Sequence, residues 1–305
     1  MNLYENKNLF IDYIKKAAEF FGINETLIEK DFYIYLFLKE CSKVIPQLVF
    51  KGGTSLSKCH KIIDRFSEDI DLTLQEEFSS QSFKRNSLRK LIEISNCVPF
   101  LLLNKENRLK HTHANYNCFK IDYPAIYKDT RYYPGIKMEM VYLSKCYPYE
   151  EKTFVSYIGE YLMKINENEI ISKYELEPFP IKVQRLERTF VDKVFAICDY
   201  FELKETRRNS RHIYDLYKIY PNIDVTSDSF KELVKRVRKE RQNTKRCVSS
   251  QPGYDINKTL KQIIESQYYK NDFDSVTSVL LNERKTYSEV VEVLTQIINS
   301  NAFIE

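Results

Sequence analysis

A glycine turn followed by two acidic residues on one strand constrains this chain more than any other feature. The turn lies in Phe50-Lys51-Gly52-Gly53-Thr54-Ser55-Leu56, and the acids follow in Arg65-Phe66-Ser67-Glu68-Asp69-Ile70-Asp71-Leu72. These stretches predict a strand, a turn, a helix and a second strand. Because side chains alternate along a strand, Asp69 and Asp71 are expected to project from the same face.

This arrangement is typical of metal-assisted transfer of a nucleotidyl or phosphoryl group. Two neighbouring carboxylates can hold a divalent metal, and backbone N–H groups at a glycine turn can approach a phosphate closely. A Gly-Gly pair alone usually marks an ordinary turn, and two acids alone can form an exposed acidic turn. Here Ile70, Leu72 and Leu74 indicate a buried strand, where an acid without a cation would be poorly hydrated.

Composition indicates a folded, soluble protein. The 305 residues are 43% hydrophobic and 30% charged, which suits one large domain or two ordinary ones. A formal net charge of +4 does not by itself indicate nucleic-acid binding. Seven cysteines without a CxxC pair, and no apolar run of membrane-spanning length, predict a cytoplasmic protein with no membrane association. A monomer is the default expectation.

Hydrophobic periodicity predicts an α/β domain over residues 1–150 and a mainly helical domain over 151–305, so that the chain as a whole is α+β. The first stretch is expected to contain helices over Lys7–Phe21, Asn24–Cys41, Thr54–Ile63 and Ser82–Ser95. Its strands are expected over Leu48–Lys51, Ile70–Leu74, Val98–Leu103, Tyr116–Tyr123 and Ile136–Leu143. Helices of the second stretch are expected over Leu186–Phe201, Arg211–Tyr220, Phe230–Arg246, Lys258–Tyr268 and Ser288–Asn299.

Glu139 is a third candidate metal-binding acid. Ile136, Met138 and Met140 form an apolar stripe, so Glu139 is expected on the opposite face of its strand. A glutamate on the polar face of a strand is commonly just hydrated. The residues alone leave both interpretations open.

Charged residues of the helical stretch have ordinary interpretations as well. Lys193 follows Asp192 on a predicted helix, where a hydrated helix face is the simplest explanation. Arg211 and Asp215 are four residues apart and could form a surface ion pair. A basic run indicates either a hydrated helix face or contact with RNA phosphates, and its members are Lys231, Lys235, Arg236, Arg238, Lys239, Arg241, Lys245 and Arg246.

Together these motifs resemble those of the AbiEii/MenT family of nucleotidyltransferase-like toxins, in order over about residues 25 to 220. The matching segments are Lys51–Leu56, Arg65–Leu72, the Asp192-Lys193 helix and Arg211–Asp215. The resemblance implies a fold like that of DNA polymerase β, with a mixed sheet and flanking helices, and a need for Mg²⁺ (or Mn²⁺) and a nucleoside triphosphate. Members of the family act in bacterial toxin–antitoxin or phage-defence systems, with the antitoxin encoded nearby, and some add nucleotides to the tRNA 3′ end.

The resemblance also implies roles for individual residues. The residues expected to contact the nucleotide are Gly52, Gly53, Thr54, Lys58, Arg65 and Lys193. The metal ligands are expected to be Asp69, Asp71 and Glu139, and the catalytic residues Asp69, Asp71, Lys193 and Asp215. Glu139 stands where an aspartate is usual, and His212 stands where relatives often have an acid.

The hypothesis that follows is a metal-dependent nucleotidyltransferase that acts as a bacterial toxin on RNA, with the tRNA 3′ end as the expected acceptor. One alternative is nucleotidyl transfer to a protein or a small molecule. Another is a catalytically inactive nucleotide-binding module. The retention of Asp69, Asp71 and Lys193 argues against an inactive module, since a degenerate site would be free to lose them.

Overall fold

Most helices and strands of the first half form close to where periodicity predicts them, but the strand predicted over Val98–Leu103 is limited to Leu101–Leu102. The computed structural model describes residues 2–78, 80–104, 116–142 and 146–304. The helices are α1 Lys7–Phe21, α2 Glu25–Val44, α3 Gly52–Lys58 and α4 Gln81–Ile94. The strands are β1 Leu48–Lys51, β2 Asp69–Leu74, β3 Leu101–Leu102, β4 Tyr116–Asp122 and β5 Ile136–Val141. Leu143, in the last predicted strand, lies outside the described residues.

The second half contains two strands among its helices. The elements up to residue 184 are β6 Tyr149–Phe154, α5 Tyr157–Lys164, α6 Asn168–Tyr174 and β7 Phe179–Gln184. The later helices are α7 Leu186–Glu202, α8 Arg211–Ile219, α9 Asp228–Arg241, α10 Ile256–Glu265, α11 Lys270–Asp272, α12 Ser278–Leu280 and α13 Tyr287–Asn299. The predicted α+β class is confirmed. Among the helices in the described ranges, none has both the length and the apolar character that crossing a bilayer requires.

One mixed sheet contains all seven named strands in the order β3-β4-β5-β2-β1-β7-β6. The strand that carries the two aspartates, β2, is therefore central. It runs antiparallel to β1 and parallel to β5. Parallel neighbours require long connections, and residues 75–135 supply the one between β2 and β5.

Strand β7 departs from the prediction of a helical second half. Its residues Phe179, Ile181 and Val183 are buried and alternate with more exposed ones, which is the pattern of a strand. Phe50 of β1 pairs with Val183 in parallel. The alternation was readable in the sequence, but it spans only six residues and lies between helical segments.

The apolar face of the sheet forms the core of the first half. Ile70 and Leu72 of β2, and Met138 and Met140 of β5, are at most 1% exposed and belong to one hydrophobic cluster. Helix α2 contributes to the same cluster through Phe32, Ile34, Phe37 and Leu38. One face of the sheet therefore packs in the hydrophobic core, and the acids of β2 project from the other face.

The chain divides into two compact units. The first comprises Met1–Cys59 and Glu68–Val183, and the second comprises His60–Ser67 and Gln184–Glu305. This division differs from the predicted boundary at residue 150, because β6, α5, α6 and most of β7 belong with the sheet. That residues 1–150 and 151–305 are folding domains stays a prediction.

Candidate functional site

Asp69 and Asp71 lie side by side on the polar face of β2. The strand register pairs Asp71 with Glu139 on β5 and with Lys51 on β1, and it pairs Asp69 with Lys137 on β5. Because residues paired across neighbouring strands project from the same face, these five side chains share one surface of the sheet. The aspartates are therefore on one face, as alternation predicts.

Gly52 begins α3 directly beside Asp71. Its φ is +77°, in the left-handed region that residues with a Cβ rarely adopt. A Cβ built on Gly52 would also overlap the carboxylate of Asp71. This position therefore requires glycine for two independent reasons, and the missing side chain lets the carboxylate lie against the start of the helix.

One hydroxyl group in α3 connects its first turn to the acidic strand, and a second hydrogen-bonds within that turn. Thr54 Oγ1 donates a hydrogen bond to the carbonyl oxygen of Asp69 at 2.6 Å. Ser55 Oγ donates to the carbonyl oxygen of Gly52 at 2.9 Å. The first backbone N–H groups of a helix have no partner within the helix, so Gly52 and Gly53 offer donors suited to phosphate oxygens. The expected contact between Thr54 and a nucleotide stays a prediction.

Glu139 is held by polar neighbours on the same face. Lys137, two residues earlier on β5, forms an ion pair with the Glu139 carboxylate. The Tyr116 hydroxyl hydrogen-bonds to Glu139, and burial together with the charge of Glu139 raises the pKa of Tyr116. Sequence reasoning missed Lys137 and Tyr116 as members of this surface, although the alternation of β5 already placed Lys137 on the face of Glu139.

The pair Asp69 and Asp71 fits a hard divalent cation. Carboxylate oxygens are the donors that Mg²⁺ prefers, and Mg²⁺ commonly binds one or two carboxylates while water and substrate phosphates complete its coordination. Within the described ranges, no group of three or more His, Cys, Asp or Glu side chains is arranged to hold a metal. The membership of Glu139 in the ligand set stays a prediction.

Lys58 is placed in the interior of the first unit. Its ammonium lies 2.9 Å from Asp31 Oδ1, and the two side chains are 7% and 5% exposed. The same ammonium lies 3.4 Å from the centre of the Tyr157 ring, as a cation–π contact. The expected contact between Lys58 and a nucleotide stays a prediction, and the proposal below does not use it.

The short segment His60–Ser67 is held within the second unit by backbone contacts. The Asp64 backbone N–H donates to the Tyr214 hydroxyl at 3.2 Å. Asn282 donates to Asp64 twice, from its backbone N–H at 3.0 Å and from its side-chain amide at 2.8 Å. A β-bridge pairs Arg65 with Leu281. These contacts fix the position of the Arg65 side chain.

Arg65 belongs to a buried cluster centred on Asp215, which we call the Asp215 cluster. Arg65 donates to both carboxylate oxygens of Asp215, from Nε at 2.8 Å and from Nη2 at 2.7 Å. Lys193 Nζ lies 2.7 Å from Asp215 Oδ2 and 3.3 Å from His212 Nδ1. Three residues distant in the sequence, Arg65, Lys193 and Asp215, are thus brought together with His212.

The charges of the Asp215 cluster shift one another's pKa values. Burial alone would raise the pKa of Asp215, but Arg65 and Lys193 hold it well below its ordinary value. Loss of hydration lowers the pKa of Lys193, and Asp215 opposes that shift. The pKa of His212 is far below its usual range, through lost hydration and the charge of Lys193. His212 is therefore neutral near pH 7, and the cluster has two cations against one carboxylate.

Asp192, which precedes Lys193 on α7, is directed elsewhere. Its Oδ2 lies 3.3 Å from Arg188 Nε and 3.1 Å from the side-chain nitrogen of Gln184. Adjacent positions on a helix are separated by about 100° around its axis, which explains why Asp192 and Lys193 contact different partners. Sequence reasoning did not predict the role of His212, which was visible only as a departure from the family motif.

Most arginines of the predicted basic run make contacts within the protein. Arg238 donates to the carbonyl oxygens of Tyr254 and Phe303, at 3.1 and 3.2 Å, and is 6% exposed. Arg241 pairs with Asp199 at 2.6 Å, and Arg246 pairs with Glu205 at 2.7 Å. These contacts account for much of the run structurally, and its interpretation as an RNA-binding helix stays a prediction.

Comparison with known proteins supports one family. The family model described as "Nucleotidyl transferase AbiEii toxin, Type IV TA system" matches residues 36–292. No curated protein matches the chain. A crystal structure from H. pylori, described as a candidate nucleotidyltransferase, is 15% identical with a TM-score of 0.45, and the alignment covers 90% of this chain and 96% of that one. At that TM-score the likeness adds nothing to the assignment.

Proposed function

We propose, given that this chain belongs to the AbiEii family of nucleotidyltransferase toxins, that it transfers a nucleotide from a nucleoside triphosphate to RNA in a metal-dependent reaction. Nucleotidyl transfer within a type IV toxin–antitoxin system follows from the family itself, which also implies a paired antitoxin. The metal, the acceptor and the roles of individual residues are the proposed part.

The observation that carries the proposal is the Asp69 and Asp71 pair beside Gly52. Two carboxylates share a face of the central strand, and the adjacent glycine leaves space for one of them against the start of α3. We propose that Asp69 and Asp71 hold the metal and that backbone N–H groups of Gly52 and Gly53 bind the triphosphate. A bound divalent metal would activate the attacking hydroxyl and neutralise phosphate charge.

We propose that Lys193, a member of the Asp215 cluster, neutralises phosphate charge. A buried carboxylate between two cations is a weak base, because its conjugate acid forms only at low pH. Asp215 is therefore best suited to anchor Arg65 and Lys193 in fixed positions. The excess positive charge of the cluster favours an anionic ligand.

RNA is the proposed acceptor, and the 3′ end of tRNA is the proposed site of addition. The proposal rests on family membership and on the resemblance of the motifs to members that modify tRNA. Transfer to a protein or a small molecule is the competing possibility. The experiment must therefore identify which molecule receives the nucleotide.

Incubation of the purified protein with Mg²⁺, each labelled nucleoside triphosphate in turn and total bacterial RNA tests this function on a denaturing gel. We expect label in a tRNA-sized band, and no label with Asp71→Asn, which removes one charge at nearly constant shape. The matched control is Asp274→Asn, the same change at an exposed aspartate, which should label normally. Label on protein alone, or equal labelling of RNA by Asp71→Asn, would contradict the proposal.

A further inference from the structure

The loop between α7 and α8 concentrates positive charge. Residues 204–211, which we call the arginine loop, read Lys204-Glu205-Thr206-Arg207-Arg208-Asn209-Ser210-Arg211. Lys204, Arg207 and Arg208 are exposed, and Arg211 is half-buried. The single acid, Glu205, pairs with Arg246 at 2.7 Å. The loop therefore presents uncompensated positive charge to solvent.

Asp272 holds the backbone of the arginine loop. One carboxylate oxygen accepts from the Arg208 backbone N–H at 2.7 Å. The other accepts from the Ser210 N–H at 3.0 Å and from the Ser210 hydroxyl at 2.6 Å. Asp272 is 9% exposed, so these are buried, charge-assisted hydrogen bonds, which are among the stronger ones in proteins. A further hydrogen bond links the Asn209 side chain to the Glu205 carbonyl oxygen at 3.0 Å.

The backbone of the loop is held in an uncommon conformation. Lys204 has a φ of 56° and Arg208 a φ of 65°, both in the left-handed region that residues with a Cβ seldom adopt. Such residues persist where surrounding contacts fix them, and they concentrate at ligand-binding positions. The contacts of Asp272 supply that constraint at Arg208, and the hydrogen bonds that end α7, from Lys204 N–H to Phe201 and from Glu205 N–H to Tyr200, supply it at Lys204.

The guanidinium groups of Arg207 and Arg208 have no acidic partner within ion-pairing distance in the described parts of the chain. Asp272 accepts from the backbone N–H groups of Arg208 and Ser210 and from the Ser210 hydroxyl. The arginines of the basic run differ, since Arg238 and Arg241 are used internally. In the basic run the exposed charges include lysines such as Lys239 and Lys245, whereas the loop exposes Arg207 and Arg208.

The positive charge of the loop continues into the Asp215 cluster. Arg211 is the first residue of α8, which also carries His212 and Asp215, so the end of the loop lies within about one helical turn of the cluster. Both features belong to the second unit. A ligand bound along the loop would therefore meet the same positive field that surrounds Lys193.

We propose that the arginine loop binds the phosphate backbone of the acceptor RNA, an inference that rests on the proposed function. Arginine binds phosphate through paired N–H donors, and a chain of phosphates can engage several cations in succession. The loop residues are Lys, Arg, Glu, Thr, Asn and Ser, without the aromatic and apolar anchors that protein interfaces favour. The composition therefore favours RNA over a protein partner.

The test compares two variants that each remove two positive charges, Arg207→Gln/Arg208→Gln and Lys239→Gln/Lys245→Gln. The second pair lies in the basic run at exposed positions and is the matched control. Binding of the full-length protein to bacterial tRNA is measured without nucleotide at several salt concentrations, and labelling is measured separately as a function of RNA concentration. Thermal unfolding confirms that each variant is folded, which is expected because backbone groups carry the contacts of the loop.

We expect the arginine variant to bind tRNA about tenfold more weakly, with a salt dependence reduced by about one to two phosphate contacts. KM for RNA should rise while kcat changes little, and the lysine control should behave as the unaltered protein. If both variants lost tRNA binding equally, the loop would not be the RNA-binding surface. The same would follow if the arginine variant lost none while the unaltered protein still labelled RNA. In either case the proposed function would be unaffected. Failure of the unaltered protein to bind or label any RNA would overturn both. Polyglutamate serves as a second ligand in the binding assay. If the arginine variant lost binding to polyglutamate but not to tRNA, the loop would bind an acidic protein partner, and the proposal would be overturned.

Discussion

Gly52 shows how one residue can be required by both backbone and side-chain geometry. Its φ of +77° is unfavourable for any residue with a Cβ, and the space where a Cβ would lie is filled by the Asp71 carboxylate. The glycine of the sequence motif is thus explained by a contact with an acid that follows it by nineteen positions. The two motifs are parts of one structure.

Replacement of Gly52 by alanine should therefore displace Asp71 as well as strain the backbone. The backbone term alone should lower the free energy of unfolding by about 1–2 kcal/mol, and labelling activity should fall at least tenfold. Gly253→Ala is the matched control, since Gly253 also has a φ of +77° but no atom within 4 Å of an added Cβ. Thermal unfolding and the labelling assay compare them, and equal activities at equal stability would contradict the expected displacement.

Asp215 should make stability depend on pH in a defined direction. Because Arg65 and Lys193 lower its pKa in the folded state, the carboxylate stabilises the fold above its unfolded pKa of about 3.9. That contribution is lost as the pH falls through the lower folded value. Asp215→Asn should cost about 3–5 kcal/mol at neutral pH, since it leaves two cations without their buried counter-charge.

Urea unfolding between about pH 3 and pH 7 measures this effect. The difference in free energy of unfolding between the unaltered protein and Asp215→Asn should be constant near neutrality and should shrink below about pH 4. Asp274→Asn, at an exposed position, should show no such difference. A difference between Asp215→Asn and the unaltered protein that is as large at pH 3 as at pH 7 would contradict the assignment.

Three buried charged residues of helix α2 connect the helix to other segments of the first unit. Glu29, Lys30 and Asp31 are consecutive and at most 3% exposed. Glu29 accepts from the backbone N–H groups of residues 126 and 127, and Lys30 pairs with Glu68 at 2.6 Å. Asp31 pairs with Lys58 at 2.9 Å and accepts from the Tyr157 N–H at 2.6 Å. Each charge connects α2 to a different segment of the first unit.

Lys58→Met separates the structural contact of Lys58 from the expected nucleotide contact. Removal of the ammonium leaves Asp31 buried with one fewer partner, so unfolding should become easier by about 3–5 kcal/mol. At a temperature where the variant is folded, KM for the nucleotide should be unchanged. The control is Lys61→Met, since Lys61 is exposed. A raised KM in Lys58→Met at unaltered stability would instead favour a nucleotide contact.

The fold class and most elements were predictable from sequence because their signals are local. Strand β1 and helix α1 have the predicted bounds, and Asn24 caps α2 by accepting from the Thr26 N–H at 2.9 Å. Helix α3 is shorter than predicted, ending at Lys58 and not at Ile63, because residues 60–67 belong to the second unit. A local pattern does not record which unit a short segment packs with.

On the scale of the whole molecule, the second unit is discontinuous in sequence. Residues 60–67 supply Arg65 to Asp215 and accept hydrogen bonds from Asn282. A fragment of residues 184–305 would therefore contain Asp215 and Lys193 without the arginine that completes their cluster. The first unit similarly requires residues on both sides of that insertion.

The fragment 184–305 should consequently unfold at a lower temperature than the same fragment mixed with a peptide of residues 60–67. Binding of the peptide stabilises the folded form by mass action, so the unfolding temperature should rise with peptide concentration. A peptide with Arg65→Met should raise it less, because it lacks the bidentate contact with Asp215. An unfolding temperature independent of either peptide would show that residues 184–305 fold without the segment.

Sequence alone determined three properties: the α+β class, the shared face of Asp69 and Asp71, and the family. Each depends on periodicity or on short motifs, which are local features of the chain. Tertiary structure decided which charges act together. Arg65 and Asp215 are 150 residues apart, yet their side chains meet at 2.7 Å, and Lys58 forms an ion pair with Asp31 that the sequence did not predict. The free energy of a buried charge depends on its neighbours in space, which no local pattern specifies.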